Sequence, residues 1–250
     1  MRHPRSSHQG RIKAWLVAAS VLTAAAARAD VVTLAPVKDN TLIEDPTGAA
    51  SNGAGPFLFI GRTRNHGRRR AILAFDIAGN VPARASIDSV TLTLTMNSPQ
   101  VHGEQSYELR RVLADWGEGT SSSTGGAGSL STPGDATWIH TFFDRTSWAT
   151  PGGDFSPTVS ASRNVGGSVG LAYTWGPAAQ MAADVQRWLD DASTNFGWIV
   201  LGGEGDITAK RLESRESTTA ALRPKLIIDF TPVDAVEPRT WTRVKALYRD

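Results

Sequence analysis

Between Ile87 and Met96 the chain alternates: Val90, Leu92, Leu94 and Met96 fall on one side, Thr91, Thr93 and Thr95 on the other. Successive side chains of an extended strand point to opposite faces, so a strict period of two demands a β-strand with a buried apolar face and a wetter threonine face. A helix would scatter the same residues around its axis. A chain holding such a strand must supply a second layer to cover the apolar side.

Other segments keep this period. Val31 to Val37, Thr41 to Glu44, Phe57 to Gly61 and Arg70 to Ile77 read as short strands, parted by Asp39-Asn40, Pro46 to Pro56 and Arg64-Asn65-His66-Gly67. In the fourth, Ala71, Leu73, Phe75 and Ile77 alternate with Arg70, Ile72, Ala74 and Asp76, which predicts one buried face and one at least half polar. After a turn at Asn97-Ser98-Pro99, Ser106 to Leu113 is expected to return as the partner of the Ile87 strand. Ala136 to Phe143, Val169 to Trp175, Phe196 to Leu201, Thr208 to Ser214 and Lys225 to Phe230 continue the pattern. One helix interrupts it. Pro177 suits a first helical position, and Met181, Val185, Trp188 and Leu189 make one apolar stripe that ends near Asp191. The fold class expected is all-β, a sandwich of antiparallel strands with one short α-helix.

The first 29 residues stand apart. Arg2, Arg5, Arg11 and Lys13 precede the apolar run Ala14 to Ala27, and Ala27-Arg28-Ala29 is a small-x-small cleavage pattern. A signal peptide removed before Asp30 is therefore expected, with a secreted or periplasmic destination. No later apolar run reaches spanning length, so no membrane anchor is expected. The leader holds five of the 26 Lys and Arg residues and none of the 24 Asp and Glu, which leaves 21 against 24 and a formal charge of −3. That balance argues against a nucleic-acid partner. Cysteine is absent, so stability must come from a large core, or from a core and a bound ion. The mature 221 residues suffice for a single sandwich over residues 30–231, with a C-terminal tail at 232–250. In that tail Trp241, Val244, Leu247 and Tyr248 fit either a short docked turn or a frayed end.

The segment from Asp115 to Asp154 is too irregular for one strand or helix. Trp116, Trp138 and Trp148 sit there among glycines and carboxylates, as in a long functional or ion-stabilised loop. An indole can stack on the C–H face of a pyranose while neighbouring polar groups take its hydroxyls, or it can fill the sandwich edge. Asp39, Asp45, Glu118, Asp135 and Asp154 are candidate ligands for Ca2+ as a structural ion, with turn capping as the alternative. Arg62, Arg64, Arg68, Arg69 and Arg70 form the basic cluster, suited to uronate or sulfate groups or to plain solvation. Beyond the leader only His66, His102 and His140 remain, and with Tyr107 and Tyr173 they are the material for a lyase, without a recognisable spacing.

Several short motifs occur in one order. Asp39-Asn40-Thr41-Leu42-Ile43-Glu44 resembles the name motif of the DNRLRE-domain proteins, allied to the family 96 carbohydrate-binding modules, with Thr41 and Ile43 in place of its arginines. Arg70 to Ile77 followed by Ile87 to Leu94 is similar to that family's FD strand and its hairpin partner. Trp116-Gly117-Glu118 with Ala136-Thr137-Trp138 resembles its W-x-E and TW pair. Asp184 to Trp188 with Asn195 to Trp198, then Glu213 to Glu216 with Arg223 to Leu226, resemble its helix and closing hairpin. Thr120 to Pro133 departs from the pattern in being longer and richer in Ser and Gly. The resemblance implies a jelly-roll-like sandwich, export, and glycan binding or surface building. The function expected is a secreted, non-catalytic module for extracellular polysaccharide, with Trp148, Trp138, Trp116, Arg62 and Arg64 as ligand-binding residues and Asp39, Glu118, Asp135 and Asp154 on a calcium ion. The alternatives are a structural surface or matrix protein making protein contacts, and a polysaccharide lyase.

Overall fold

The computed structural model describes residues 28–65 and 67–233. The expected leader up to residue 27, His66 and the tail positions Trp241, Val244, Leu247 and Tyr248 lie outside the described residues. In chain order the strands are β1 (Asp30–Leu34), β2 (Lys38–Ile43), β3 (Ala50–Ser51), β4 (Phe57–Arg62), β5 (Arg68–Ala74), β6 (Ser86–Pro99), β7 (Gln105–Val112), β8 (Ser129–Leu130), β9 (His140–Phe142), β10 (Thr146–Ser147), β11 (Phe155–Val165) and β12 (Ala172–Trp175). The helix α1 (Ala179–Asp190) follows, then β13 (Trp198–Gly202), β14 (Lys210–Glu213) and β15 (Lys225–Thr231). The expected all-β, jelly-roll-like sandwich with one α-helix is what forms.

The main sheet is antiparallel and curls over on itself. One layer runs β1-β15-β6-β12, the other β2-β5-β13-β7-β11, and β4 and β14 join them at a corner. The hinge of this curl is β6, whose first half pairs β15 while Met96 to Pro99 pair β14. Its alternation is realised over most of its length: Val90, Leu92, Leu94 and Met96 are buried and Thr91 and Thr93 are half-exposed, whereas Thr95, expected on the wetter face, is buried where β12 pairs it. They meet Leu73, Leu109 and Val200 of the opposite layer in the main core. Against β6 and β11 lies α1, burying Met181, Val185, Trp188 and Leu189 as the stripe predicts.

Three expected hairpins are replaced by distant pairings. Instead of returning on β6, β7 pairs β11 and β13. Nor does β5 pair β6; its neighbours are β2, β4 and β13. Likewise β14 pairs β4 and β6 while β15 pairs β1 and β6. In a two-layer fold, strands joined by a short connection can cross between layers, because each must bury its own apolar face against the opposite sheet.

The expected half-polar face of β5 is also corrected. Ala71 and Leu73 enter the main core, but Ile72 and Ala74 on the other face are equally buried, in a second core with Leu42, Val112 and Ile199. The outer face of this layer is therefore covered, and the cover is the segment from Asp115 to Asp154.

Candidate functional site

That segment folds into a third layer of short strands and turns, pinned by its tryptophans. Trp116, Trp138 and Trp148 are 1%, 4% and 5% exposed and sit over Leu42, Ile72, Val112 and Ile199. Trp116 Nε1 donates to the Phe196 carbonyl at 2.9 Å, and Trp148 Nε1 to the Thr137 carbonyl at 2.9 Å. Lys38 Nζ lies 4.4 Å from the centre of the Trp116 ring and donates to the Trp116 carbonyl, a cation–π contact that closes the edge. The guanidinium groups of Arg68 and Arg70 stand 4.9 and 4.8 Å from the Trp138 ring. Indoles so enclosed offer no free face to a sugar, so the stacking role expected for all three is corrected to one of holding the outer layer down. Gly117, between Trp116 and Glu118, is required by close approach: a Cβ there would stand 1.8 Å from the Gly134 carbonyl.

The carboxylates divide. Asp135 is buried and accepts from the Thr132 backbone N–H at 2.6 Å and the Thr132 hydroxyl at 3.1 Å. Asp154 accepts from the backbone N–H groups of Ala149 and Thr150, and Asp45 from those of Thr47 and Ala49. These three are turn-capping residues, as the alternative reading held.

Asp39 and Glu118, by contrast, come together, and with them comes Glu216. Ligand-capable oxygens of the three lie within 4.8 Å of one another. Glu118 Oε1 accepts from the Asp39 backbone N–H at 2.8 Å, and Asp39 Oδ2 from the Arg215 backbone N–H at 2.9 Å. Arg215 Nη1 reaches both oxygens of Glu118, at 2.7 and 2.9 Å, and Glu216 at 3.2 Å. Next to them the buried Asn40 amide donates to the carbonyls of Glu118 and Ala136, while its Oδ1 accepts from the backbone of Thr41 and Asn52. Asp39 and Asn40 therefore tie β2 to the start and the middle of the outer layer, at Glu118 and Ala136. Burial, and then the facing Glu216, push the Asp39 carboxyl well above the usual carboxylate range; burial, and then Glu118, raise Glu216. Asp39 Oδ1 and Glu216 Oε2 are buried without a hydrogen-bond partner. Glu216 and Arg215 went unrecognised as site residues because they lie some 100 residues beyond Glu118; the only local signal is the polar run Ser214-Arg215-Glu216 after the buried Leu212.

The basic cluster is engaged. Arg70 grips Glu204 through two nitrogens, at 2.7 and 2.9 Å, and donates to the Gly152 carbonyl. Arg68 pairs with Glu44, Arg69 donates to the Gly126 carbonyl, and Arg62 donates to the Gly205 carbonyl. Arg64 is exposed, its backbone N–H on Gln100. The Arg68 guanidinium, hydrogen-bonded to Glu44, holds that carboxyl below its ordinary value. The stability this contributes is present above about pH 4.3, the unfolded value, and is lost as pH falls through the lower folded value. Glu44→Gln is thus expected to weaken the fold at pH 7 by at most about 1 kcal/mol and by less at pH 3, read from urea melts at the two pH values; an equal loss at both would contradict it.

The lyase residues are scattered. Tyr107 and Tyr173 are buried in the main core, the former with its hydroxyl on the Thr208 carbonyl. His140 sits in the outer layer against Thr137 and Phe143, and His102 is exposed.

A second feature is concave. At the β4-β14-β6 corner an open cleft of about 280 Å³ is lined by Phe59, Thr63, Pro99, Gln100, Gly126 and Arg211, among others. Beside it the Arg211 guanidinium lies 4.3 Å from the Phe57 ring centre and donates to Asn97 Oδ1 at 2.7 Å and to the Thr124 carbonyl at 3.2 Å. Asn97 Nδ2 donates to Glu213 Oε1 at 2.6 Å. The Ser/Gly-rich segment contributes Gly126 to the lining of this cleft, and its Thr124 carbonyl accepts from Arg211 beside it.

Compared with known proteins, the chain matches no family model and no curated protein.

Proposed function

We propose that the chain is an exported, non-catalytic module that binds an extracellular polysaccharide along the β4-β14-β6 cleft. The observation carrying this reading is the Arg211 guanidinium, held by Asn97 and the Thr124 carbonyl, in a cleft whose lining includes Gln100, Pro99 and the largely buried Phe59. A sugar ring presents apolar C–H faces and hydroxyls at its edge, and such a cleft offers a small apolar floor together with a guanidinium and an amide in fixed positions. A cleft open to solvent can admit one unit of a longer polymer, which a closed pocket cannot. The motif order that resembles that of DNRLRE-domain proteins and the leader expected from the sequence support the reading; among the described residues no helix is long and apolar enough to cross a membrane.

Affinity electrophoresis against plant, algal and bacterial polysaccharides tests it. The native chain is expected to be retarded by at least one polymer, and Arg211→Ala to weaken that retardation by about tenfold, or about 1.4 kcal/mol. No retardation by any polymer, or undiminished retardation of the Arg211→Ala chain, overturns the reading.

A further inference from the structure

Asp39 is 0% exposed, yet its Oδ1 meets no donor, and a second orphan oxygen, Glu216 Oε2, belongs to the same cluster. Buried carboxylate oxygens are almost always paired, since an unpaired one forfeits its hydration without return. Three ionised carboxylates within 4.8 Å would carry two negative charges more than the one guanidinium beside them can offset. The donors are all oxygens, with neither imidazole nor thiolate among them, which selects a hard cation. We infer that Asp39, Glu118 and Glu216 bind one divalent, oxygen-seeking cation of the calcium class. Arg215 is then a positioning residue: its guanidinium spans Glu118 and Glu216 and its backbone N–H fixes Asp39 Oδ2, so the remaining oxygens of Asp39 and Glu216 stay directed at the ion. The side chains of Glu118 and Glu216 are 23% and 25% exposed, which leaves a path for the ion and its water.

The site joins three distant parts of the chain, so the ion would clamp the outer layer to β2. It differs from the calcium set expected from sequence: Asp135 and Asp154 drop out and Glu216 enters. The proposal does not depend on any polysaccharide being bound.

The test uses the whole mature chain, stripped with EDTA and dialysed against buffered CaCl2 or MgCl2. One calcium per chain is expected, with a higher melting temperature, and terbium added in its place should show luminescence sensitised by tryptophan. Glu216→Gln, conservative in shape and at a half-exposed position, is expected to weaken calcium binding by about tenfold or more, whereas Asp154→Asn leaves it unchanged. Asp39→Asn serves as a second variant if it folds. No retained ion in the native chain, or equal affinity in Glu216→Gln, overturns the proposal. So does a Glu216→Gln chain that melts higher than the native one with and without calcium alike, because the carboxylates would then share a proton in place of an ion.

Discussion

Trp116→Ala is expected to lower the unfolding free energy by about 3–5 kcal/mol, measured by urea denaturation followed by circular dichroism. The indole is buried to 1% exposure between β2, β13 and the outer layer. Its removal leaves a cavity, strands the Phe196 carbonyl that accepts from Nε1, and deprives Lys38 of the ring it covers. Cavity and lost hydrogen bond act in the same direction, and neither can be mended by collapse, because the surrounding strands are held by their own ladders. The size of the effect separates two roles. A tryptophan serving as a sugar platform would be exposed in the free protein and its loss would cost little stability; a change below about 1 kcal/mol would return Trp116 to that role.

Asp184→Ala is expected to be comparably severe, about 3–5 kcal/mol by the same assay, with Asp184→Asn retaining a larger part of the stability. This carboxylate sits on α1 at 3% exposure and accepts from Ser160 Oγ, from Trp198 Nε1 at 3.0 Å and from Gln180 Nε2 at 3.0 Å, with Arg111 Nε at 3.6 Å. Four groups from β11, β13, β7 and the helix converge on one side chain. Alanine leaves a buried indole N–H and a buried hydroxyl without their acceptor and removes the ion pair with Arg111, and a buried donor stranded in this way loses its full hydration. Asparagine keeps the shape and one acceptor oxygen, but its NH2 faces donors on the other side. If alanine and asparagine prove equally mild, the hydrogen-bond network is not what holds α1 in place.

Residues with a regular local pattern were legible. The period of two in β6 and the apolar stripe of α1 report burial directly, because side-chain direction follows backbone geometry within a few residues. Asp39 and Glu118 were also visible as candidates. By contrast, β11 escaped notice: Phe155 to Val165 is rich in Ser and carries Pro157, and it is a strand only because β7 pairs it as an edge, with the register shifting between Phe155 and Val159 around that proline. Both faces of β5 being apolar could have been read from Ala71 to Ala74, but what covers the second face lies 40 residues and more downstream.

By itself, then, the sequence determined the class of fold, the apolar faces of β6 and α1, and the residue types available for chemistry, all properties set by neighbours along the chain. Tertiary structure alone decided which strands pair, that the glycine- and tryptophan-rich segment is a third layer enclosing its own core, and that Asp39 and Glu118 meet Glu216 and not Asp135 or Asp154. The reason is one of range: period and propensity act over a few residues, whereas the partner of a buried carboxylate or an uncovered sheet face is settled by the packing of segments from about 40 to 180 positions apart.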